Sequence, residues 1–363
     1  MTPWRILADD LTGALDTAAA WMDAVPVFLD APGPAPEPVQ AVVTGTRDVP
    51  PASLAERLAP SLDWFTATGH AFKKVDSLLR GNSLNEVAWL MRSGRFDGVV
   101  FAPAFPGQGR FTAQSRHWVA PPHQADGPRT YEYPASLIDA FAAVGLRACV
   151  PAQPRSSLYH AGQVVIPDIL DDADLDALAA LTHQPEAKRW LWCGSAGLAW
   201  AFARHDGVAA GPTIQFDNLE PAAGRPLLLS ASRHPVLREQ LTRLTPLHDA
   251  IELIALTSDE DWPLAEAYAR LDQAMHEIVA QHLRPPALAV VGGDTLLALC
   301  RALGVHGLRS SPSPRAGWGR ATLLGGAWDG LICYSRSGAF GPPDDLLAMM
   351  TDLSKHTPTQ EQH

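Results

Sequence analysis

Apolar and polar positions alternate on one plan along most of the chain. A run of four or five apolar residues meets a short turn rich in acids or glycines, and a segment with apolar residues every three or four positions follows. Runs bounded by turn residues predict strands, and the longer period predicts helices. Arg5-Ile-Leu-Ala8 runs into Asp9 and Asp10, after which Thr12, Gly13 and an alanine-rich stretch open a helix. Strands are expected at 25–29 and 40–44, and a helix at 53–62. An extended run from Ala71 ends at Asp76 and is followed by Ser77, Arg80, Gly81 and another helix. A strand from Gly98 feeds a loop rich in Gly and Pro that carries Arg110. Residues 114–134 lack a period and are expected to form a long loop. A helix at 136–143, a strand at 162–167, a helix at 172–181 and a strand from Trp190 into Gly194-Ser-Ala-Gly197 complete the first half.

Residues 206–225 hold Gly and Pro without a hydrophobic period, which marks a linker. Beyond them the plan restarts, with a strand at 226–230, a helix from Pro235 and a strand at 250–256. A long helix is expected over 263–283, with Leu264, Tyr268, Leu271, Met275 and Ile278 as a core face. A strand at 287–291 meets Gly292-Gly-Asp-Thr295, the stretch 318–330 is glycine-rich, and a strand at 331–334 leads into Ser335-Arg-Ser-Gly-Ala-Phe-Gly341 and a last helix. The pattern predicts an α/β protein of two domains, 1–205 and 226–355, each a mostly parallel sheet flanked by helices, with a frayed tail at 356–363. The active site is expected in the cleft between the domains.

Composition narrows the function. At 363 residues the chain exceeds one ordinary core, and its 47% hydrophobic share is globular. A net charge of −11 argues against a general nucleic-acid or anionic-membrane binder, though a local Arg/Lys cluster can still hold an anionic substrate. Cys149, Cys193, Cys300 and Cys333 form no C-x-x-C pair and read as buried thiols of a reducing cytoplasm. No leader pattern and no 18-residue apolar run is present. A cytoplasmic protein is expected, acting on small molecules, with a homodimer compatible.

The turns carry the candidate chemistry. Paired acids at a strand end can reach hydroxyls or a metal, although Asp10 or Thr12 can equally cap the helix. Lys73, Lys74, Asp76, Ser77 and Arg80 crowd one strand-to-helix turn, and the Arg80 and Arg110 guanidinium forks suit a carboxylate or phosphate. Gly292, Gly293, Asp294 and Thr295 between a strand and a helix form an anion site or an ordinary tight turn. P-loop, dinucleotide and zinc-protease signatures are absent from the sequence.

Taken in order, Ala8-Asp-Asp-Leu-Thr-Gly-Ala-Leu-Asp16, Lys73-Lys-Val-Asp-Ser-Leu-Leu-Arg-Gly-Asn82, Ala102-Pro-Ala-Phe-Pro with Gly109-Arg110, Gly292-Gly-Asp-Thr295 and Ser337-Gly-Ala-Phe-Gly341 resemble the four-carbon acid sugar kinase family. The family includes 3-oxo-tetronate, threonate and erythronate kinases. The resemblance implies an N-terminal domain that binds the sugar acid, a C-terminal domain that binds ATP with Mg²⁺, and phosphoryl transfer to the terminal hydroxyl. It places substrate on Asp9, Lys73, Asp76, Ser77, Arg80 and Arg110, and nucleotide on Ser232, Gly292, Gly293, Asp294, Thr295, Gly338 and Gly341. Asp10 is the expected base and Asp294 its catalytic counterpart near the phosphates or Mg²⁺. Arg336 and His234 replace an expected Lys and Ser, and these departures favour a second reading, a non-catalytic ligand-binding sensor or scaffold.

Overall fold

The computed structural model describes residues 3–21, 24–33, 37–67, 69–120, 130–131, 133, 135–151, 162–208, 224–256, 261–313, 315, 317–338 and 341–355. The expected tail at 356–363, most of the expected linker, and Ala339 with Phe340 lie outside the described residues. The chain divides into two compact units, Met1–Ala210 and Gly211–His363.

Unit 1 carries strands β1 (Trp4–Ala8), β2 (Val25–Leu29), β3 (Val39–Val43), β4 (His70–Lys74), β5 (Gly98–Ala102), β6 (Arg110–Ala113), β7 (Arg116–Val119), β8 (Thr130–Tyr131), β9 (Arg147–Cys149), β10 (Gln163–Val165) and β11 (Trp190–Gly194). Its helices are α1 (Leu11–Ala18), α2 (Leu54–Thr66), α3 (Ser83–Arg92), α4 (Leu137–Ala143), α5 (Asp172–Ala179) and α6 (Ala196–His205). Eight strands form a parallel sheet in the order β2-β3-β1-β4-β11-β5-β10-β9. Alternate side chains point to opposite faces of a strand. On one face Leu7, Ala71, Phe101, Leu191 and Cys193 pack with α2, α3 and α4. On the other, Trp4, Phe72 and Trp192 close around Phe202 of α6 at ring-centroid distances of 4.4, 5.7 and 5.3 Å. Burial on both faces is what lets the central strands read as continuous apolar runs.

Unit 2 contains β12 (Leu227–Ser230), β13 (Glu252–Ala255), β14 (Leu288–Val291), β15 (Gly307–Ser311), β16 (Gly319–Leu324) and β17 (Ile332–Arg336), with α7 (Pro235–Thr242), α8 (Leu264–Gln281), α9 (Gly293–Leu303) and α10 (Asp345–Lys355). Strands β13, β12, β14 and β17 are parallel neighbours in that order, and β16 and β15 continue the sheet antiparallel. Its core gathers Leu228, Ala289, Val291 and Tyr334 from the sheet with Leu237 of α7 and Leu346, Met349 and Met350 of α10.

Several expectations are corrected. Within 114–134, expected to be a loop, β7 pairs with β6 and β8 in a small antiparallel sheet. Gln114 and Ser115 make the two-residue turn with φ of 50° and 61°, the handedness a tight hairpin needs without the usual Asn-Gly signature. Strands β15 and β16 were not expected, because Arg309, Ser310, Arg320 and Thr322 interrupt the apolar runs. On α8 only Met275 and Ile278 are buried, while Leu264 is 54% exposed and Tyr268 and Leu271 are half-buried. The 11-residue α9 that packs on it is too short to cover 18 residues. Cys149 is half-buried; the other three thiols are buried, and all four are free.

Candidate active site

Ala8 pairs with Val43 and Lys74, and Gly194 pairs with Lys74 and Ala102, so β3, β1, β4, β11 and β5 end at one edge of the unit 1 sheet. From β1 the chain winds to one side through β2 and β3 and returns to the other side through β4. Such a switch point opens a crevice beyond the carboxyl ends, and Asp9, Asp10 and Asp76 flank it.

The loop after β3 brings in a residue that the sequence reading missed. Thr44 and Thr46 bond to each other at 2.7 Å, with Thr44 also donating to the Ala8 carbonyl and the Thr46 N–H to the Asp9 carbonyl. From the far side Asn82 Nδ2 reaches the carbonyls of Thr46 and Val49 at 2.9 and 2.7 Å. Held so, Arg47 places Nε 2.9 Å from Asp9 and Nη2 2.7 Å from Asp10 and 3.2 Å from Asp76. Burial works against the Arg47 cation, but Asp10, Asp9 and Asp76 outweigh it and raise its pKa. Burial likewise pushes the Asp9 carboxyl up, and Arg47, Lys73 and Lys74 more than reverse this. The signal available in the sequence was position: Arg47 follows a strand end, as Asp9 and Asp76 do.

Asp10 also caps α1, accepting from the Gly13 N–H at 3.1 Å. Asp76 organises the next turn. Its Oδ1 accepts from the Leu78 N–H at 2.8 Å, and Arg80 forks onto both oxygens at 3.1 and 2.7 Å. Burial opposes its charge, yet the Arg80 bonds and the Arg47 cation hold the carboxyl well below the usual range. Arg80 itself is 54% exposed, which leaves part of its guanidinium facing solvent. Gly81 has φ of 72°, and a Cβ there would fall on the Arg47 carbonyl oxygen, so this close approach requires glycine.

Strand alternation separates the two lysines. Lys73 points to the α3 face, wholly buried, with Nζ 2.5 Å from Glu86. The expected substrate contact is thereby corrected: the ammonium is enclosed behind the cluster. Lys74 points to the α1 face and donates to the Val75 carbonyl at 2.7 Å. Ser77 is half-buried and its carbonyl is taken by His117. Arg110 opens β6 and turns Nη1 onto Gln108 at 2.7 and 2.9 Å. Ser195, in the other glycine turn, caps α6 and bonds the Ala104 carbonyl, while a Cβ on Gly194 would stand 2.7 Å from the Ala102 carbonyl; this turn serves packing.

In unit 2, Ser230 pairs with Val291 and Val291 with Arg336, so the turns after β12, β14 and β17 stand side by side. They bring Ser232, Gly292, Gly293, Thr295 and Gly338 together. A Cβ on Gly338 would fall on Ser232 Oγ, and one on Gly292 would stand 2.9 Å from Thr295 Oγ1. Gly292 has φ of 118° and ψ of 127°, which glycine alone adopts readily, and it leads into the N-terminus of α9. Asp294 is exposed in the first turn of α9 and Thr295 is buried. Gly341 stands apart, packed against Arg336 and Asp345. Arg336 is enclosed, paired with Asp345 at 3.1 Å, bonded to Gln240 and stacked on Trp318 at 4.8 Å, a structural cation.

Two α/β units, each with polar turns gathered at the carboxyl edge of its parallel strands, define the class of protein. Residues 4–130 match the sugar-binding N-terminal domain family. The chain is 28% identical to a D-threonate kinase of Bordetella bronchiseptica over 94% of its length and 95% of that protein. It is 32% identical to a D-threonate kinase of Cupriavidus necator over 55% of this chain and 54% of that one. A solved structure from Salmonella typhimurium LT2 has a TM-score of 0.73 at 19% identity, covering 97% of this chain and 99% of that one. Another, from Haemophilus influenzae, has a TM-score of 0.67 at 16% identity with the same coverage, and both are likenesses of fold. These likenesses support the resemblance to the four-carbon acid sugar kinase family. Among the described residues no helix is long and apolar enough to cross a membrane, and no group of three or more His, Cys, Asp or Glu could hold a metal ion.

Proposed function

We propose that this protein is a cytoplasmic ATP-dependent kinase that phosphorylates the terminal hydroxyl of a four-carbon sugar acid of the D-threonate kind. The observation that carries the reading is the acid cluster bridged by Arg47 at the switch point of unit 1. Residues 1–205 bind the sugar acid. Arg80, with part of its fork open to solvent, and Arg110 take the substrate carboxylate, since planar guanidinium matches it bidentately. Asp9, Asp10 and the Ser77 hydroxyl take substrate hydroxyls. Asp76, with both oxygens occupied by Arg80 and backbone, positions Arg80.

Residues 226–355 bind the nucleotide. Ser232, Gly292, Gly293, Thr295 and Gly338 form a cradle that Cβ atoms would fill, and the α9 N-terminus adds its dipole, which suits phosphates. ATP supplies the transferable phosphoryl group, and Mg²⁺ neutralises its charge. One or two carboxylates suffice for a nucleotide-borne Mg²⁺, and exposed Asp294 fits that need. Asp10 orients the acceptor hydroxyl and receives its proton.

Incubation of the purified protein with ATP, Mg²⁺ and a panel of four-carbon sugar acids, read as ADP release, tests the proposal. Release with one or two stereoisomers is expected. Calorimetric binding of a sugar acid without ADP release from any would instead establish the sensor reading, which Arg336 and His234 favour.

A further inference from the structure

The thirteen histidines scatter along the sequence as surface or loop residues would, yet His117 on β7 is wholly buried. Its Nε2 stands 2.7 Å from the Ser77 carbonyl oxygen, and its Nδ1 stands 3.3 Å from Thr112 Oγ1. A carbonyl can only accept, so Nε2 carries a proton, and in the neutral ring Nδ1 accepts from the Thr112 hydroxyl. Burial, joined by the Arg110 charge, lowers the ring's pKa against the pull of the Ser77 and Phe111 carbonyls and Asp76.

Thr112 is the cross-strand partner of His117, and Arg110 lies two residues before it on the same face of β6. The hairpin face that grips Ser77 is therefore the face that carries Arg110. The hairpin is itself anchored. Thr112 and Ile169 exchange backbone bonds at 3.0 and 2.7 Å, the Gln114 N–H donates to Asp168 at 2.7 Å, and the Leu137 N–H donates to the Ser115 carbonyl at 2.6 Å.

We propose that His117 is a positioning residue of the sugar-acid site: by holding the Ser77 carbonyl it fixes the Asp76–Arg80 turn against Arg110 and so sets the two guanidinium forks for one carboxylate. This rests on the reading of unit 1 as the acid-binding unit. The test compares His117→Phe, which keeps a ring and loses both bonds, with His117→Gln, which keeps an amide donor. Affinities for D-threonate and for ATP are measured by calorimetry, and hydrogen exchange is followed over residues 76–82.

His117→Phe should weaken the sugar acid about tenfold or more, leave ATP within about twofold, and speed exchange over 76–82. His117→Gln should recover most of both losses. Should His117→Phe fail to fold, His117→Met, which also loses both bonds, takes its place in the same comparison. Sugar-acid affinity within about twofold of wild type with unchanged exchange over 76–82 overturns the proposal, as does equal loss of both ligands. If the wild type binds no four-carbon sugar acid, the proposed function fails instead, and the exchange of 76–82 alone decides whether His117 holds that turn.

Discussion

Replacing Arg47 with alanine should destabilise unit 1 severely. The guanidinium touches Asp9, Asp10 and Asp76 within 3.2 Å, and its side chain is only 17% exposed. At an effective dielectric near 20, unit charges 3 Å apart interact by about 5 kcal/mol before desolvation is subtracted. Removing one partner of a buried ion pair costs about 3–5 kcal/mol, because the remaining charges stay buried and uncompensated. Against a typical stability of about 5–15 kcal/mol this is a large share. Urea unfolding at pH 8 and pH 5 is the assay, and the pH dependence supplies the diagnostic. In the wild type Asp9 and Asp76 have folded-state pKa values below their unfolded ones, so their contribution is present above about pH 4 and is lost as pH falls through the folded values. Without Arg47, Asp9 keeps its burial and loses the largest charge that opposes it, so its pKa rises relative to the wild type, while Arg80 still holds Asp76 low. The variant's Asp9 takes up a proton at higher pH than in the wild type, and the loss at pH 5 should be smaller than at pH 8. Arg47→Lys, which keeps the charge and loses the fork, should fall in between. A loss under about 1 kcal/mol, or the same loss at both pH values, would refute the reasoning.

Gly13→Ala would ordinarily gain about 1 kcal/mol of helix propensity, but the new Cβ falls on Asp10 Oδ1 and within 2.9 Å of Lys74 Nζ. Loss of the Asp10 cap costs about the same or more, so thermal unfolding should show no gain and sugar-acid affinity should drop. Asp10→Asn should leave both ligands bound and lower turnover by about two or more orders of magnitude, so steady-state rates within about threefold of wild type would remove it from the mechanism. Gly292→Ala, strained at φ of 118°, should weaken ATP in calorimetry while sugar-acid affinity is kept. His70, buried beneath Trp4, has its pKa lowered by burial to about 4. The unfolded chain therefore binds more protons below about pH 6.5, and stability should fall by up to about 3 kcal/mol between pH 6.5 and 4, a slope that His70→Phe should flatten.

Local order was legible in the sequence because its causes are local. Each apolar run with an acid or glycine at its end became a strand and turn, as Ile6-Leu-Ala8 before Asp9, and Leu288 to Val291 before Gly292. Helix starts were readable from their caps, since Asp10, Ser136, Asp171 and Ser195 accept backbone N–H bonds two or three residues on. The hairpin at 110–119 and strands β15 and β16 escaped because half-exposed antiparallel strands alternate polar with apolar residues, and because Gln114-Ser115 carries no turn signature. Asp9, Asp10 and Asp76 were visible one by one, but neither Arg47 nor their relations were. Strand order alone sets Arg47 against acids 37 and 38 residues away and brings His117 to Ser77 across 40 residues. The same tertiary packing buries Lys73 against Glu86 while its neighbour Lys74 faces α1, and it encloses Arg336 within unit 2. A side chain's local sequence names its chemistry; which charge it meets, and whether water reaches it, depends on which strands become neighbours.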